Sequence, residues 1–211
     1  MYLPALFEET RGEVIRELIA SYPLGMLVTF GKGGLAANPI PFEWVDDGTP
    51  HGVLQAHVAR ANPLWQEHDR SVPALVVFQG PQAYITPTWY QTKADTHKVV
   101  PTYNYCIVQA HGPLVVHDDP AWTLAQVTRL TAKFEDAREK PWDIGDAPAD
   151  FIAAQVRAIV GIELPIHRLV GKWKVSQNRP LADRSKVAEA LAGDPMGALV
   201  HAYSQARLPP P

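Results

Sequence analysis

LGMLVTFGKGGLAANPIPF, Leu24 to Phe42, decides how this chain folds. LGMLVTF (Leu24 to Phe30) reads as a strand, GKGG as a tight turn and LAANPIPF (Leu35 to Phe42) as the returning strand, so the stretch is a β-hairpin. Pro39 and Pro41 each remove a ladder donor, which makes the second strand irregular or places it at an edge. Such a strand leaves backbone groups free to meet a ligand.

Working outward, the period before the hairpin is helical. Val14, Ile15, Leu18 and Ile19 recur at helix spacing from about Thr10, and Pro23 follows the end. After it, GVLQAHVAR (Gly52 to Arg60) and PALVVF (Pro73 to Phe78) read as strands, with QAYITP a fifth strand or a continuation after a Gly80-Pro81 turn. TWYQTKADTHKVVP reads as a long ordered loop, a kind of segment that often carries function. TYNYCIVQAHGPLVVH (Thr102 to His117) reads as a long strand bent at Gly112-Pro113. Asp119-Pro120 has the form of a helix start, and ADFIAAQVRAIVG reads as a second helix. IELPIHRLVGKWKV is extended again, ADRSKVAEAL is a short final helix, and the tail RLPPP reads as a frayed end. Antiparallel strands on short turns, with no strand-helix alternation, point to a closed or partly closed barrel.

Composition excludes several classes. The 211 residues suit one domain, and 20 prolines argue for short elements and shaped loops. A formal net charge of -3 argues against a dedicated nucleic-acid binder. The single cysteine, Cys106, permits no internal disulfide and no thiolate metal site, and in the apolar run YCIV it reads as a buried small residue. The eight histidines show no ligand spacing, so no metal is expected. There is no GxGxxG, Walker loop or GxSxG. No leader opens the chain and no apolar run is long enough to span a bilayer, so the expectation is a cytoplasmic protein without a membrane partner.

Four constellations remain as candidate sites. In HVARANPLW, His57 and Arg60 end a strand and Asn62 opens a helical turn. There a guanidinium and exposed N–H groups suit a phosphate; alternatively Arg60 is a solvated charge and Asn62 a cap. In AANPIPF, Asn38 suits the amide-like edge of a ring such as isoalloxazine, unless the segment is simply a proline-blunted edge. In the long loop, Trp89 and the nearby tyrosines can stack on a planar ring while Lys98, beside a strand entry, meets charge; a dimer contact is an equal use of them. Ser176, Gln177, Asn178 and Arg179 end the last long strand, either as a wall of a polar site or as a turn.

YLPALF, HVARANPLW, FQGPQAYITPTWY, KVVPTYNY, DDPAW and AIVGIELPIHRLVGKWKVSQNRPLADR, in that order, closely resemble the PaiB-like family of FMN-binding negative transcriptional regulators. The resemblance implies an antiparallel, mainly β, FMN-binding split β-barrel with flanking helices. It would be a single domain over residues 1–211 with a helical insertion at about 119–160. It further implies a homodimer with FMN near the subunit interface. Carried over residue by residue, Asn38, Pro39 and Ile40, then His57, Val58, Ala59, Arg60 and Asn62, line the flavin site, with Trp89 and Lys98 approaching from the same or the partner subunit. Pro39 stands where the family commonly has His, and Tyr103 where it commonly has Trp. The function implied is transcriptional regulation. Physical support for DNA as a partner is thin, since six Lys or Arg against one Asp in residues 168–186 are partly committed to strand and core. The alternative is a flavin-dependent oxidoreductase using NAD(P)H, in which the cofactor carries the chemistry and no catalytic side chain need be evident; a third reading holds FMN without turnover.

Overall fold

The computed structural model describes residues 1–205. In chain order the elements are β1 (Glu8–Glu9), α1 (Gly12–Ser21), β2 (Leu24–Gly31), β3 (Gly34–Pro41), β4 (Glu43–Val45), β5 (Val53–Ala59), α2 (Leu64–Glu67) and β6 (Ala74–Ile85). They continue with α3 (Gln91–Thr96), β7 (Thr102–Gly112), β8 (Val115–His117), α4 (Pro120–Glu135), α5 (Ala149–Arg157), β9 (Ile159–Pro165), β10 (Arg168–Lys174), α6 (Leu181–Ala190) and α7 (Pro195–Gln205). The strands form a six-stranded sheet, β1-β10-β7-β6-β2-β3, and a four-stranded sheet, β4-β5-β9-β8. By contacts the chain divides into a first unit, residues 1–18, 79–108 and 170 onward, and a second unit, residues 19–78 and 109–169.

The second unit holds the hairpin. β2 and β3 pair without interruption from Leu24↔Pro41 to Gly31↔Gly34, around a two-residue turn at Lys32-Gly33. Gly34 closes that turn at φ 92°, a conformation that a residue with a Cβ adopts only with strain. β3 ends its sheet, as the two prolines require. Alternation sends Leu27, Ile40, Val76 and Phe78 inward, where Phe42 meets Phe78 edge to face at 6.1 Å. β5 does the same with Leu54, Ala56 and Val58, and β9 with Val160, Ile162 and Leu164. Each of these side chains except that of Ala56 contributes on the order of 1.5–3 kcal/mol by leaving water. Gln55 and His57 point the other way, where α4 covers them, and Trp122 of α4 lies over Gly161, where an added Cβ would sit 2.3 Å from the indole.

The first unit packs Ile15 and Leu18 of α1 with Cys106, Trp173, Val175, Val187, Met196 and Val200, all buried. β1 pairs with β10 through Glu8↔Lys172 and Glu9↔Gly171. The buried Glu9 carboxylate accepts two bonds from the Arg11 side chain and one from the Tyr203 hydroxyl, which ties α7 to β1. Burial pushes the Glu9 carboxyl up, but the hydrogen bonds from Arg11 and Tyr203 outweigh it and hold the pKa below the usual range. Asp183 of α6 accepts from the Thr92 amide and hydroxyl at 2.9 and 2.8 Å, fixing α3.

Several local expectations change. β6 runs unbroken through Gly80-Pro81, because an extended backbone tolerates proline's fixed φ and loses only one donor. The long loop folds into a 3-10 turn at Pro87–Trp89 and the short helix α3, which ends on His97 in the left-handed region at φ 56°. The helix beginning near Ala149 stops at Arg157, and the β-branched Ile159-Val160 start β9 instead. α6 is not the last helix: Asp194 accepts from the Met196 amide at 2.7 Å and starts α7. The frayed tail RLPPP falls outside the described residues.

Candidate functional site

In the second unit, inward-facing Asn38 of β3 meets Asn62, whose amide nitrogen donates to Asn38 Oδ1 at 3.2 Å. Asn62 Oδ1 accepts from the Leu64 amide at 3.0 Å and opens α2. Asn62 therefore caps locally and also orients Asn38, leaving the Asn38 NH₂ for another acceptor. Both line a cavity of about 280 Å³ with Thr29, the Lys32-Gly33 turn and His68. His68 Nδ1 bonds the Leu64 carbonyl at 3.0 Å, so in the neutral ring that nitrogen carries the proton and Nε2 is an acceptor. Nε2 is buried and makes no hydrogen bond. A free amide donor and an unused acceptor at one small cavity match a ligand edge in which a carbonyl adjoins an N–H. The pyrimidine end of isoalloxazine has such an edge, so the residues present fit that part of a flavin.

The neighbouring candidates lie elsewhere in this unit's fold. Ile40 and Val58 are buried in the core, Pro39 faces out from the hairpin, and Ala59 is exposed at the end of β5. His57 is turned to α4, its Nδ1 2.8 Å from Gln126 Oε1. Arg60 is engaged: its Nε donates to the Arg157 carbonyl at 2.7 Å, and Nη2 donates to Asp118 at 2.7 Å and to the Ile159 carbonyl at 3.2 Å. The hydrogen bond to Asp118 raises the Arg60 pKa, and the same bond lowers that of Asp118. Three of the five guanidinium protons are thus committed; those on Nη1 are not.

In the first unit, Gln177 is buried and bonded to its own turn. Its Oε1 accepts from the Val175 amide at 2.7 Å and its Nε2 donates to the Trp173 carbonyl at 2.5 Å. Ser176, at φ 69°, accepts from Asn104 at 2.9 Å. These two residues shape the chain reversal after β10. Arg179 emerges from it with its guanidinium 4.5 Å from the Tyr90 ring centroid. Trp89 is half-buried in the 3-10 turn, and Lys98 is exposed, its amide donating to Thr96 Oγ1 at 3.2 Å.

Sequence reasoning passed over His68, whose role depends on a backbone bridge between His68 and Gly31 that no local pattern shows. Lys172 and Lys174 enter the sequence reading only as part of an extended segment and of the basic stretch 168–186, not as site residues. The signal was present: KWKVSQNR holds three cations in eight positions and no acid. Cys106 is fully buried, and burial pushes its thiol up to about 12, which leaves no thiolate nucleophile at neutral pH. Among the described residues no cluster of His, Cys, Asp or Glu could hold a metal ion, and no helix is long and apolar enough to cross a membrane.

Residues 1–168 match the family described as "Putative FMN-binding domain". An uncharacterized protein of Emericella nidulans is 34% identical, covering 89% of this chain and 88% of its own. The protease synthase and sporulation protein PAI 2 of Bacillus subtilis is 30% identical, covering 92% and 90%. Among solved structures, the flavocytochrome Anf3 of Azotobacter vinelandii superposes with a TM-score of 0.58 at 13% identity, over 79% of this chain and 69% of that one. The FAD and heme binding protein of Mycobacterium smegmatis gives 0.57 at 18% identity, over 79% and 73%. At such identities the likeness is one of fold, two antiparallel sheets flanked by helices in the split-barrel manner. The match over residues 1–168 makes this chain a member of the FMN-binding domain family.

Proposed function

We propose that the chain binds FMN and works as a flavin-dependent oxidoreductase with NAD(P)H as donor and a small molecule as acceptor; the bound flavin would supply the hydride and electron chemistry. The observation that carries the FMN part of this reading is the family match over residues 1–168. Three others support it. The cavity at Asn38, Asn62 and His68 offers the donor and acceptor that a flavin ring edge needs. The one cysteine is inert, and a flavin carries redox chemistry without a protein nucleophile. The chain is weakly acidic, with a formal net charge of -3, which gives DNA no general electrostatic attraction.

A homodimer belongs to the proposal. The face of the hairpin opposite Asn38 is apolar across both strands: Leu24, Met26 and Phe30 of β2 stand beside Pro41, Pro39 and Leu35 of β3. Val77 and Leu75 of β6 extend it beside Met26 and Val28. An apolar sheet face without one charged residue is costly to leave in water, and a second copy of it is the self-complementary cover.

The visible spectrum of the purified chain, before and after anaerobic NADPH, is the direct test. A yellow protein that bleaches with NADPH and recolours with an acceptor supports the proposal. Protein that takes up no FMN at micromolar concentration removes it. The resemblance to PaiB-like regulators, together with 30% identity to a Bacillus subtilis protein named for protease synthase and sporulation, favours transcriptional regulation as the second reading. Flavin that NADPH leaves oxidised, together with salt-sensitive binding to one operator sequence, would select that reading.

A further inference from the structure

Lys172 and Lys174 project from the same face of β10, and Tyr105 of β7 lies between them. The two ammonium groups are 5.3 and 5.9 Å from the centre of its ring. Lys174 Nζ donates to Thr102 Oγ1 and to the Tyr103 carbonyl at 2.5 Å each. Lys172 Nζ donates to the Tyr2 carbonyl at 3.0 Å and is 7% exposed beneath that residue. Arg179 stands over Tyr90 and acts on its buried hydroxyl from a position just outside normal hydrogen-bond geometry; the charge of Asp183 acts on that hydroxyl from further off.

Every partner of these three cations is neutral. No carboxylate forms an ion pair with any of them among the described residues. Glu8 is opposite Lys172 in the β1–β10 register, but its side chain is exposed. Asp183, the acid nearest in sequence, is turned to Thr92 by two hydrogen bonds; its charge reaches the Tyr90 hydroxyl, but it pairs with none of the three cations. Burial first, then the charges of Lys172 and Arg179, push the Lys174 pKa down. Half-buried like charges repel, and a fold retains them at a cost unless something of opposite sign binds there. All three residues lie beyond the span that matches the family.

We propose that Lys174 and Arg179, with Lys172 adding its field from below, form an anion site in the first unit that takes the phosphate of a phosphate monoester. A phosphate monoester carries nearly two charges and three acceptor oxygens, which suits three cations better than a single carboxylate does. The Tyr90 hydroxyl and the Thr102 side chain supply neutral donors beside it. The phosphate comes either from FMN itself or from a phosphorylated substrate. The first source rests on the flavin reading; the anion site does not.

The test uses the full chain and two single variants, Lys174→Met and Arg179→Gln. Its first arm compares thermal midpoints in inorganic phosphate and in chloride at equal ionic strength. Phosphate raises the wild-type midpoint above the chloride value by more than the general gain that an excluded anion gives, and either variant keeps only that general gain. The second arm titrates FMN and riboflavin. If FMN is the source, FMN affinity falls about tenfold or more in each variant while riboflavin affinity holds. If a phosphorylated substrate is the source, both flavin affinities hold and only the first arm responds. The proposal fails if the phosphate gain over chloride and the FMN-to-riboflavin affinity ratio are each the same in all three proteins. Absence of flavin binding would remove the proposed function yet leave the first arm decisive for the site. Lys174→Met relieves repulsion and is expected to fold; should Arg179→Gln not fold, Arg179→Lys keeps the charge and loses the fork, and should retain the phosphate effect in weakened form.

Discussion

Two arginine corners in this molecule differ in how their charge is met. Arg60, in the second unit, has a carboxylate at 2.7 Å and two backbone carbonyls, so its guanidinium joins β5 to the ends of α5 and β9 and holds Asp118. Arg179, in the first unit, has an aromatic ring beneath it and two lysines acting on the same neighbourhood. A cation closed within the protein serves the fold. A cation held among neutral groups and other cations has binding capacity left. From sequence each is an arginine after a strand, and Arg60 has the more ligand-like setting, although only Arg179 has two lysines within seven positions.

The largest expected effect is at a third charged group, Glu9, which is closed like Arg60 but deeply buried. Glu9→Gln leaves the Arg11 guanidinium and Tyr203 hydroxyl with a weaker acceptor and should lower the unfolding free energy by about 2 kcal/mol, read from denaturant melts. The Glu9 carboxyl titrates lower in the folded chain than in the unfolded one. Its contribution is therefore complete above the ordinary carboxylate range and is lost as pH falls through the folded value. The acid limb of the wild-type stability curve should exceed that of Glu9→Gln. Superimposable limbs would mean that the three-residue cluster is not what fastens α7.

A smaller effect of opposite sign is expected at Lys174. Its folded pKa is depressed, so the charged form costs stability throughout the pH range below that value, and the cost fades as pH rises toward the ordinary lysine range. Lys174→Met should raise the thermal midpoint at neutral pH, with a gain that shrinks in alkali and in the presence of phosphate. A variant less stable than wild type at neutral pH would show that the bonds to Thr102 and Tyr103 outweigh the repulsion.

These contrasts also mark what the sequence could and could not disclose. The hairpin from Leu24 to Phe42 is legible because period-two alternation, a glycine-rich turn and two edge-directing prolines are all local, and the structure pairs it residue for residue. β1, with two residues, and β4, with three, are too short for any period to register. The start of α7 is legible, since Asp194-Pro195 repeats the cap signal of Asp119-Pro120. Charge pairing was not legible, because Arg60 and Asp118 are 58 residues apart and nothing local relates them. The alternation of Lys172 and Lys174 around Trp173 was visible as well. It could not show that Tyr2 covers Lys172, which turns a solvated face into a charged cluster.

The smallest effect is the sharpest test of the contrast between the two arginines. Asp118→Ala removes the acid from the Arg60 corner and keeps the two carbonyls. Both groups are largely exposed, so the loss in stability should be slight and should vanish at high salt. The informative readout is phosphate. With Asp118 gone, Arg60 becomes a cation with only neutral partners, as Arg179 is in the native chain, and the midpoint gain from phosphate over chloride should increase in Asp118→Ala. An unchanged gain would show that freeing a guanidinium of its carboxylate is not enough, and that Arg179 depends on the two lysines and the tyrosine rings around it.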